Sequence, residues 1–441
     1  MRRIRNLAVI ALAGTMALTS AACGDNESGG GSAGSGSKEL TYWSMWKQGE
    51  PQQKVIAEAI DSFTRETGIK VNVQWIGRDV VKSNLPAALN TSRVPDLVDQ
   101  ASDQLKGIMG TQKQGRGLGS VYASEIPGEP GKKVSDVIPA SYIDSLGLKT
   151  ESGEPFMVPY TMTGVSLFYD AALLPDVAAK PPATWAEFEA ALDKIKAGGK
   201  LAPLTADADQ GWSDGYWTTY LITRELGPGG LRQLAQDKTG EAWRDPAVLK
   251  AAQRLEKLVK GGYFLSGYDA SKAPEQQKKW AQGKAGFFLM GSWLPVEVQP
   301  YARSGITFAS IPFPHDGPVR SEEIALFGFA VPAKAKHADA AGKFAAYFMN
   351  KDRVGKMASA AETLSIRKDV AAPASLAGVK AQIDAAPAFH SFGDGADDGA
   401  PGWGDKVYGP AVLGLIIGKT TAQQFVDTMV KTQAAYWKSQ G

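Results

Sequence analysis

The sequence predicts an α/β protein built as two lobes, and three observations carry that expectation. Behind an N-terminal leader and tether the chain keeps about 400 residues, more than one hydrophobic core usually holds. That body opens with a strand, a helix and a second strand within about 35 residues, the βαβ unit of a parallel sheet. Strand and helix patterns then alternate to the C-terminus, with no repeat in the roughly 20–50-residue range that marks a solenoid.

The leader explains itself by composition. Arg2, Arg3 and Arg5 precede an apolar run from Leu7 to Leu18, and the small residues Thr19-Ser20-Ala21-Ala22 follow. This order predicts a secretory signal over residues 1–22. Its apolar run of about 12 residues falls short of the roughly 20 that a membrane-spanning helix needs. Cys23 is the only cysteine, so no intrachain disulfide is possible. Its position resembles a bacterial lipobox, with Ser20 standing three before it. The expectation is cleavage after Ala22 and lipidation of Cys23, leaving a membrane anchor. Residues 23–37 are Gly/Ser-rich and cannot pack a core, so they read as a tether reaching about 20 Å. Cleavage removes three arginines from a net charge of +2, giving 2 − 3 = −1. No broad basic field remains for nucleic acid or for an anionic membrane surface.

Along the body, Leu40–Trp43 is the first expected strand. Pro51 suits the first turn of a helix whose apolar stripe is Val55, Ile56, Ala59, Ile60 and Phe63, with Gly68 after its end. Ile69, Val71, Val73 and Trp75 alternate with polar residues as a half-buried strand. A second helix is expected over Val80–Leu89, and a third strand begins at Pro95–Val98. Glycine, proline and charge over residues 112–137 predict loops. Phe156–Tyr160 and Val165–Tyr169 read as two strands. Thr184 and Glu187 form a capping box for a helix striped by Phe188, Leu192 and Ile195 and stopped at Gly198-Gly199. Asp245-Pro246 starts a helix with Leu249, Ala252, Leu255 and Val259 on one face. Strands at Ala285–Leu289, Ile306–Ile311 and Phe327–Val331 follow. A helix is expected over Ala340–Met349, and Ala411–Trp437 is mostly helical.

Short catalytic motifs are missing. His315, His337 and His390 are the only histidines, none has zinc-ligand spacing, and no metal or cofactor is expected. Gly414 to Thr420 ends like a phosphate loop but has three residues between its glycines and follows a helical run. Asp394, Asp397 and Asp398 lack the order of a calcium loop and read as a solvated acidic loop. Carboxylate pairs for glycoside hydrolysis come from distant positions, so a secreted carbohydrate-active enzyme stays open beside a non-catalytic binding protein. The 11 tryptophans supply both core and flat faces for ring-shaped ligands.

Several segments together resemble the family 1 extracellular solute-binding proteins of ABC importers, the maltose-binding-protein-like group. They are Glu66-Thr67-Gly68-Ile69-Lys70-Val71 and Val94-Pro95-Asp96-Leu97-Val98, then Val158-Pro159-Tyr160 running into Ser166–Asp170. Pro181–Phe188, Trp280–Phe287 with Gly291-Ser292-Trp293, and Phe327–Pro332 complete the set. The resemblance implies a two-lobe periplasmic-binding-protein type II fold with crossover hinge strands. Crossovers near Pro159, Ile311 and Asn350 would make lobe one residues 38–158 plus 312–350, and lobe two 159–311 plus 351–441. It implies a lipid-anchored, monomeric, non-enzymatic receptor on the extracellular face. That receptor would capture a di- or oligosaccharide and deliver it to the transmembrane permease subunits. A non-sugar solute on the same fold is the alternative.

The resemblance also implies ligand contacts. Trp46, Gln48 and Glu50 follow the first strand, and Arg78 follows the second. Asp103 falls eight positions after Pro95. Tyr160 sits on a crossover strand, Trp212 and Tyr216 supply a stacking aromatic, and Trp293 and Trp403 match further ring positions. Thr163 stands where some maltose binders carry an acid, and Asp170 where Asn is usual. Aromatic rings suit the apolar faces of a sugar, and charged or amide groups its hydroxyls. Trp43, Trp75, Trp185 and Trp280 are expected to pack in the core.

Overall fold

A computed structural model describes residues 38–110, 113–209, 211–317, 319–400 and 402–440, with 211–214 described for the backbone alone. The leader, Cys23 and the tether lie outside these residues.

The opening unit forms as its pattern requires. Strand β1 (Glu39–Ser44) pairs in parallel with β2 (Lys70–Trp75) across helix α1 (Pro51–Thr67). Pro51 supplies the pre-set first turn of α1, and Gly68 ends it in the left-handed conformation at φ 72°. The predicted stripe Val55, Ile56, Ala59, Ile60 and Phe63 is the buried face. Helix α2 (Arg78–Ala88) and strand β3 (Leu97–Ala101) follow, β3 pairing in parallel with β1 and running directly into the short helix α3 (Ser102–Leu105).

Residues 112–137 are not all loop. Strands β4 (Glu125–Ile126) and β5 (Glu129–Lys133) form a small hairpin there, although Gly and Pro dominate its composition. The pair is held by Arg367, which is fully buried. Its guanidinium donates to both carboxylate oxygens of Glu129 at 2.7 and 2.9 Å, to both of Asp369 at 2.8 Å, and to the Met349 carbonyl at 2.7 Å.

The two strands expected at 156–160 and 165–169 are one strand, β6 (Met157–Asp170), buried along almost its whole length. It is the seam of the molecule. Its first half pairs antiparallel with β10 (Glu322–Ala330), which pairs on its other side with β3. Its second half pairs with β8 (Ala285–Gly291) and β9 (Phe308–Ile311). Strand β7 (Ala202–Thr205) extends β8 in parallel, giving the order β2-β1-β3-β10-β6-β8-β7. Where β10 crosses β6 the register shifts at Gly328, and a Cβ there would stand 2.4 Å from the Pro159 Cα. Only glycine allows the two backbones to approach so closely.

The helices of the second half follow their caps. Thr184 and Glu187 exchange hydrogen bonds at the start of α4 (Trp185–Gly198), and Asp245 caps α7 (Pro246–Lys260). Between them lie α5 (Gly211–Leu226) and α6 (Gly230–Gln236). The buried face of α7 is Val248, Ala251, Ala252, Leu255 and Leu258, rotated from the expected one, so Leu249 and Val259 sit at its edges. Asp170 accepts from Arg303 at 2.7 Å and from the Thr307 amide at 3.0 Å, so it anchors the chain after β6.

After β9, Phe313 packs on Trp185, Trp217 and Tyr220. Helix α8 (Leu294–Val298) lies in the second half, and α9 (Ala338–Phe348) in the first. The Asn350 side chain caps α10 (Lys351–Ala360) by accepting from the Asp352 amide. Helix α10 rests on α1 through Lys356–Glu58 at 3.2 Å and Arg353–Glu66 at 3.8 Å. The chain next pairs with β6 at β11 (Leu364–Ser365). Strand β12 (Phe389–His390) then pairs with the start of β10, and helices α11 (Gly409–Ile416) and α12 (Ala422–Ser439) end the chain. Trp185 and Trp280 are core residues, while Trp43 and Trp75 pack partly buried against the core.

Candidate functional site

A cavity of about 530 Å³ opens over the middle of β6 and β10, where the carboxyl end of β3 also arrives. Open α/β sheets bind ligands at such strand ends. Arg78, Asp79 and Lys82 reach it from α2, Asp103 and Gln104 from α3, and Trp46 from the loop after β1. Trp293 and Glu297 reach it from the turn after β8 and from α8, and Tyr216 from α5. Thr161 to Val165 of β6 and Glu323, Ile324, Ala325 and Phe327 of β10 line it as well.

The first wall is preorganised. Asp99 accepts from the Met45 amide at 2.8 Å and from the Tyr160 hydroxyl at 2.7 Å, and that hydroxyl accepts from Trp46 Nε1 at 2.8 Å. Burial pushes the Asp99 carboxyl up to about 6, although these hydrogen bonds oppose the shift. The chain fixes the Trp46 indole against Phe327, 6.2 Å between ring centroids. Arg78 lies over both rings, its guanidinium carbon 5.9 Å from Trp46 and 5.4 Å from Phe327. Gln100, fully buried, donates to the Arg78 carbonyl at 3.0 Å and thereby sets the start of α2. Ser102 accepts from the Leu326 amide at 3.2 Å, tying the Asp103 turn to β10.

On the second wall Ser292 and Gly164 exchange hydrogen bonds, so the end of β8 is joined to the midpoint of β6. Trp293 folds back over Gly291, where a Cβ would stand 2.1 Å from the indole Cζ3. The missing side chain is what seats the ring. Tyr216 meets Phe392 edge-on at 5.9 Å. These two rings also border a second cavity of about 450 Å³, walled further by Trp403, Tyr408 and Pro410 with Asp209, Asp397 and Asp405.

Of the expected contacts, Trp46, Arg78, Asp103, Tyr216 and Trp293 converge on the first cavity, and Thr163 joins them. Gln48 does not; it is an exposed turn residue. Glu50 does not, because its carboxylate closes the same turn by accepting from the Lys47 amide at 2.9 Å. Gln52, two residues on, lines the cavity instead. Tyr160 is fully buried behind Trp46, since its place in the β6 alternation turns it into the core against Phe329 and Phe348. Trp403 is also buried, stacked on Tyr408 and Trp243, with Nε1 donating to Gln433 at 2.5 Å. It borders only the second cavity. The Trp212 side chain lies outside the described residues.

The acidic segment is solvated at Asp397, which is exposed, but not at Asp394. Asp394 is buried, held at φ 54° by accepting from the Gly229 and Leu231 amides at 2.7 and 2.9 Å at the start of α6. Asp397 accepts from the Gly404 amide, and Asp398 pairs with Lys106 at 2.7 Å. Among the described residues no group of three or more His, Cys, Asp or Glu side chains is arranged to hold a metal ion.

Sequence reading missed Phe327, Glu297, Phe392 and Glu323. Two adjacent acids at the head of an apolar strand were the one signal for Glu323.

The arrangement offers aromatic faces and polar edges from opposite sides of one cavity. The pattern of the family described as bacterial extracellular solute-binding protein matches residues 46–353. An uncharacterized ABC transporter extracellular-binding protein from Pyrococcus horikoshii is 30% identical over 161 residues, 35% of this chain and 37% of that protein. The chain thus matches little more than a third of that curated relative's length. The solved solute receptor AcbH, titled for its exclusive preference for β-D-galactopyranose, superposes with a TM-score of 0.75 at 18% identity, over 91% of this chain and 98% of AcbH. A sugar transporter protein of Bacillus licheniformis, solved with stachyose, gives 0.63 at 18%, over 90% and 100%.

Proposed function

The chain belongs to the bacterial extracellular solute-binding protein family, and from that premise we propose that it captures a carbohydrate in the 530 Å³ cavity and delivers it to an ABC permease. Similar folds solved as sugar receptors support the carbohydrate, and the signal-like leader with Cys23 supports a lipid-anchored receptor outside the cell. The observation that carries the reading is the convergence of Trp46, Arg78 and Asp103 with Trp293 and Tyr216 on one cavity. Rings supply grip on the C–H faces of a pyranose; the carboxylate and guanidinium orient its hydroxyls.

Capture works by population shift. A sugar favours the closed form only through contacts made by both walls there, and moving 1:99 to 99:1 takes about 5.5 kcal/mol of differential binding. The first wall is fixed by the Asp99–Tyr160–Trp46 chain and the second by Ser292–Gly164, so each wall moves as a unit about the strands that cross between them.

Thermal unfolding of residues 38–441 with galactose, maltose and stachyose tests this reading. A bound sugar at 100 times its dissociation constant raises stability by about 2.7 kcal/mol, a shift of several degrees. A melting temperature that none of the sugars moves, with another solute class moving it, would replace the carbohydrate by that solute.

A further inference from the structure

We propose that Glu323 is a specificity-determining residue of the cleft, its carboxyl exchanging hydrogen bonds with a hydroxyl of a neutral sugar. The proposal rests on the carbohydrate reading and adds to it the group the ligand must present at the cavity floor.

The geometry singles this side chain out. Glu323 is 3% exposed yet lines the cavity, and its Oε2 has no hydrogen-bond partner among the described residues. The nearest candidate is His390 Nε2, 3.7 Å away and itself without a partner there. That separation is too long for a hydrogen bond. Both oxygens of Glu322, on the opposite face of β10, also lack a hydrogen-bond partner among the described residues, but there Arg224 and Arg320 stand 3.7 and 3.6 Å away and balance the charge. Glu323 forms no ion pair with Lys or Arg among the described residues. A buried carboxyl oxygen left unpaired costs stability, and a fold that keeps one at a cavity floor leaves that cost for a ligand to relieve.

The protonation state selects the ligand group. Burial, then the nearby Asp394 and Asp103 carboxylates, push the Glu323 carboxyl well above its ordinary range. His390 is held neutral, its pKa pushed down to about 3 by burial and by Arg224. A neutral carboxyl both donates and accepts, as a sugar hydroxyl does, so the two match edge to edge. A cationic amino sugar would instead have to draw the proton away.

Two variants test the assignment by calorimetric titration with galactose, maltose and stachyose, glucosamine serving as the cationic comparison. Glu323→Gln keeps a donor and an acceptor in the same volume, and its affinity for the neutral sugars should stay within about threefold. Glu323→Leu should lose about tenfold or more. Ligand-free, Glu323→Gln should melt near the wild-type temperature, because it keeps a neutral polar group of the same shape, and Glu323→Leu near or above it, because the unpaired Oε2 is gone. Full sugar affinity in Glu323→Leu overturns the proposal. So does a ligand-free melting temperature several degrees lower in both variants, which would make the carboxyl structural. Glucosamine bound best by wild type and lost in Glu323→Gln would also overturn it, in favour of a charged pair. Wild-type protein that binds none of these sugars defeats the carbohydrate reading itself and this proposal with it. Wild-type binding left intact in Glu323→Leu defeats this proposal alone.

Discussion

Replacing Trp293 with Ala is expected to weaken sugar binding at least tenfold, a loss of about 1.4 kcal/mol or more. The ligand-free protein should meanwhile melt within about 3 °C of wild type. The ring is a half-buried wall of the cavity that folds over Gly291, so it is a surface held in place more than a piece of core. Large aromatic anchors in such positions dominate binding energetics. Titration calorimetry and differential scanning calorimetry separate the two effects. Unchanged affinity would remove Trp293 from the site, and a large fall in melting temperature would assign it to packing.

The largest expected effect on stability comes from Arg367→Met. The guanidinium is fully buried and bridges the β4–β5 hairpin, the Met349 carbonyl and the chain after β11. Removing one partner from a buried ionic cluster is strongly destabilising, because the other charges keep their desolvation cost. Glu129 and Asp369 remain partly open to water, so the expected loss is at the lower end, about 3 kcal/mol. The pH dependence gives a second readout. Hydrogen bonds from Arg367 hold both carboxyls below their ordinary values. A depressed carboxyl adds stability above its unfolded pKa of about 4 and loses it as pH falls through the folded value. Denaturation curves should therefore show the wild-type advantage in full at pH 7 and see it narrow below about pH 4. An advantage that stays constant down to pH 2.5 would contradict the assigned role.

Much of this architecture is legible in the residues, because the local signals are strong and agree with one another. Pro51 and Gly68 bracket α1, and the capping box at Thr184 starts α4. The alternation through Val71 and Val73 gives β2. The family resemblance located Arg78, Asp103 and Trp293, which the fold brings to one cavity from three elements distant in sequence. What failed depends on tertiary context. Gly164 lies between the two expected strands, yet β6 runs through it, with the Ile383 and Val379 side chains packed where a Cβ would stand, 2.8 and 3.2 Å away. Tyr160 belongs to a recognisable segment, but which face of a doubly buried strand it presents is decided by its neighbours Phe329 and Phe348. Asp394 reads as solvated because the backbone amides that hold it in the interior leave no trace in a sequence.

The most direct test of the account compares the two walls in one experiment. Titration calorimetry of wild type, Asp103→Ala and Trp293→Ala with galactose, maltose and stachyose reads each wall's share of binding. One sugar per wild-type chain is predicted, with at least tenfold weaker binding when either wall is altered. Binding that survives both substitutions at full strength would place the sugar elsewhere and contradict the cleft.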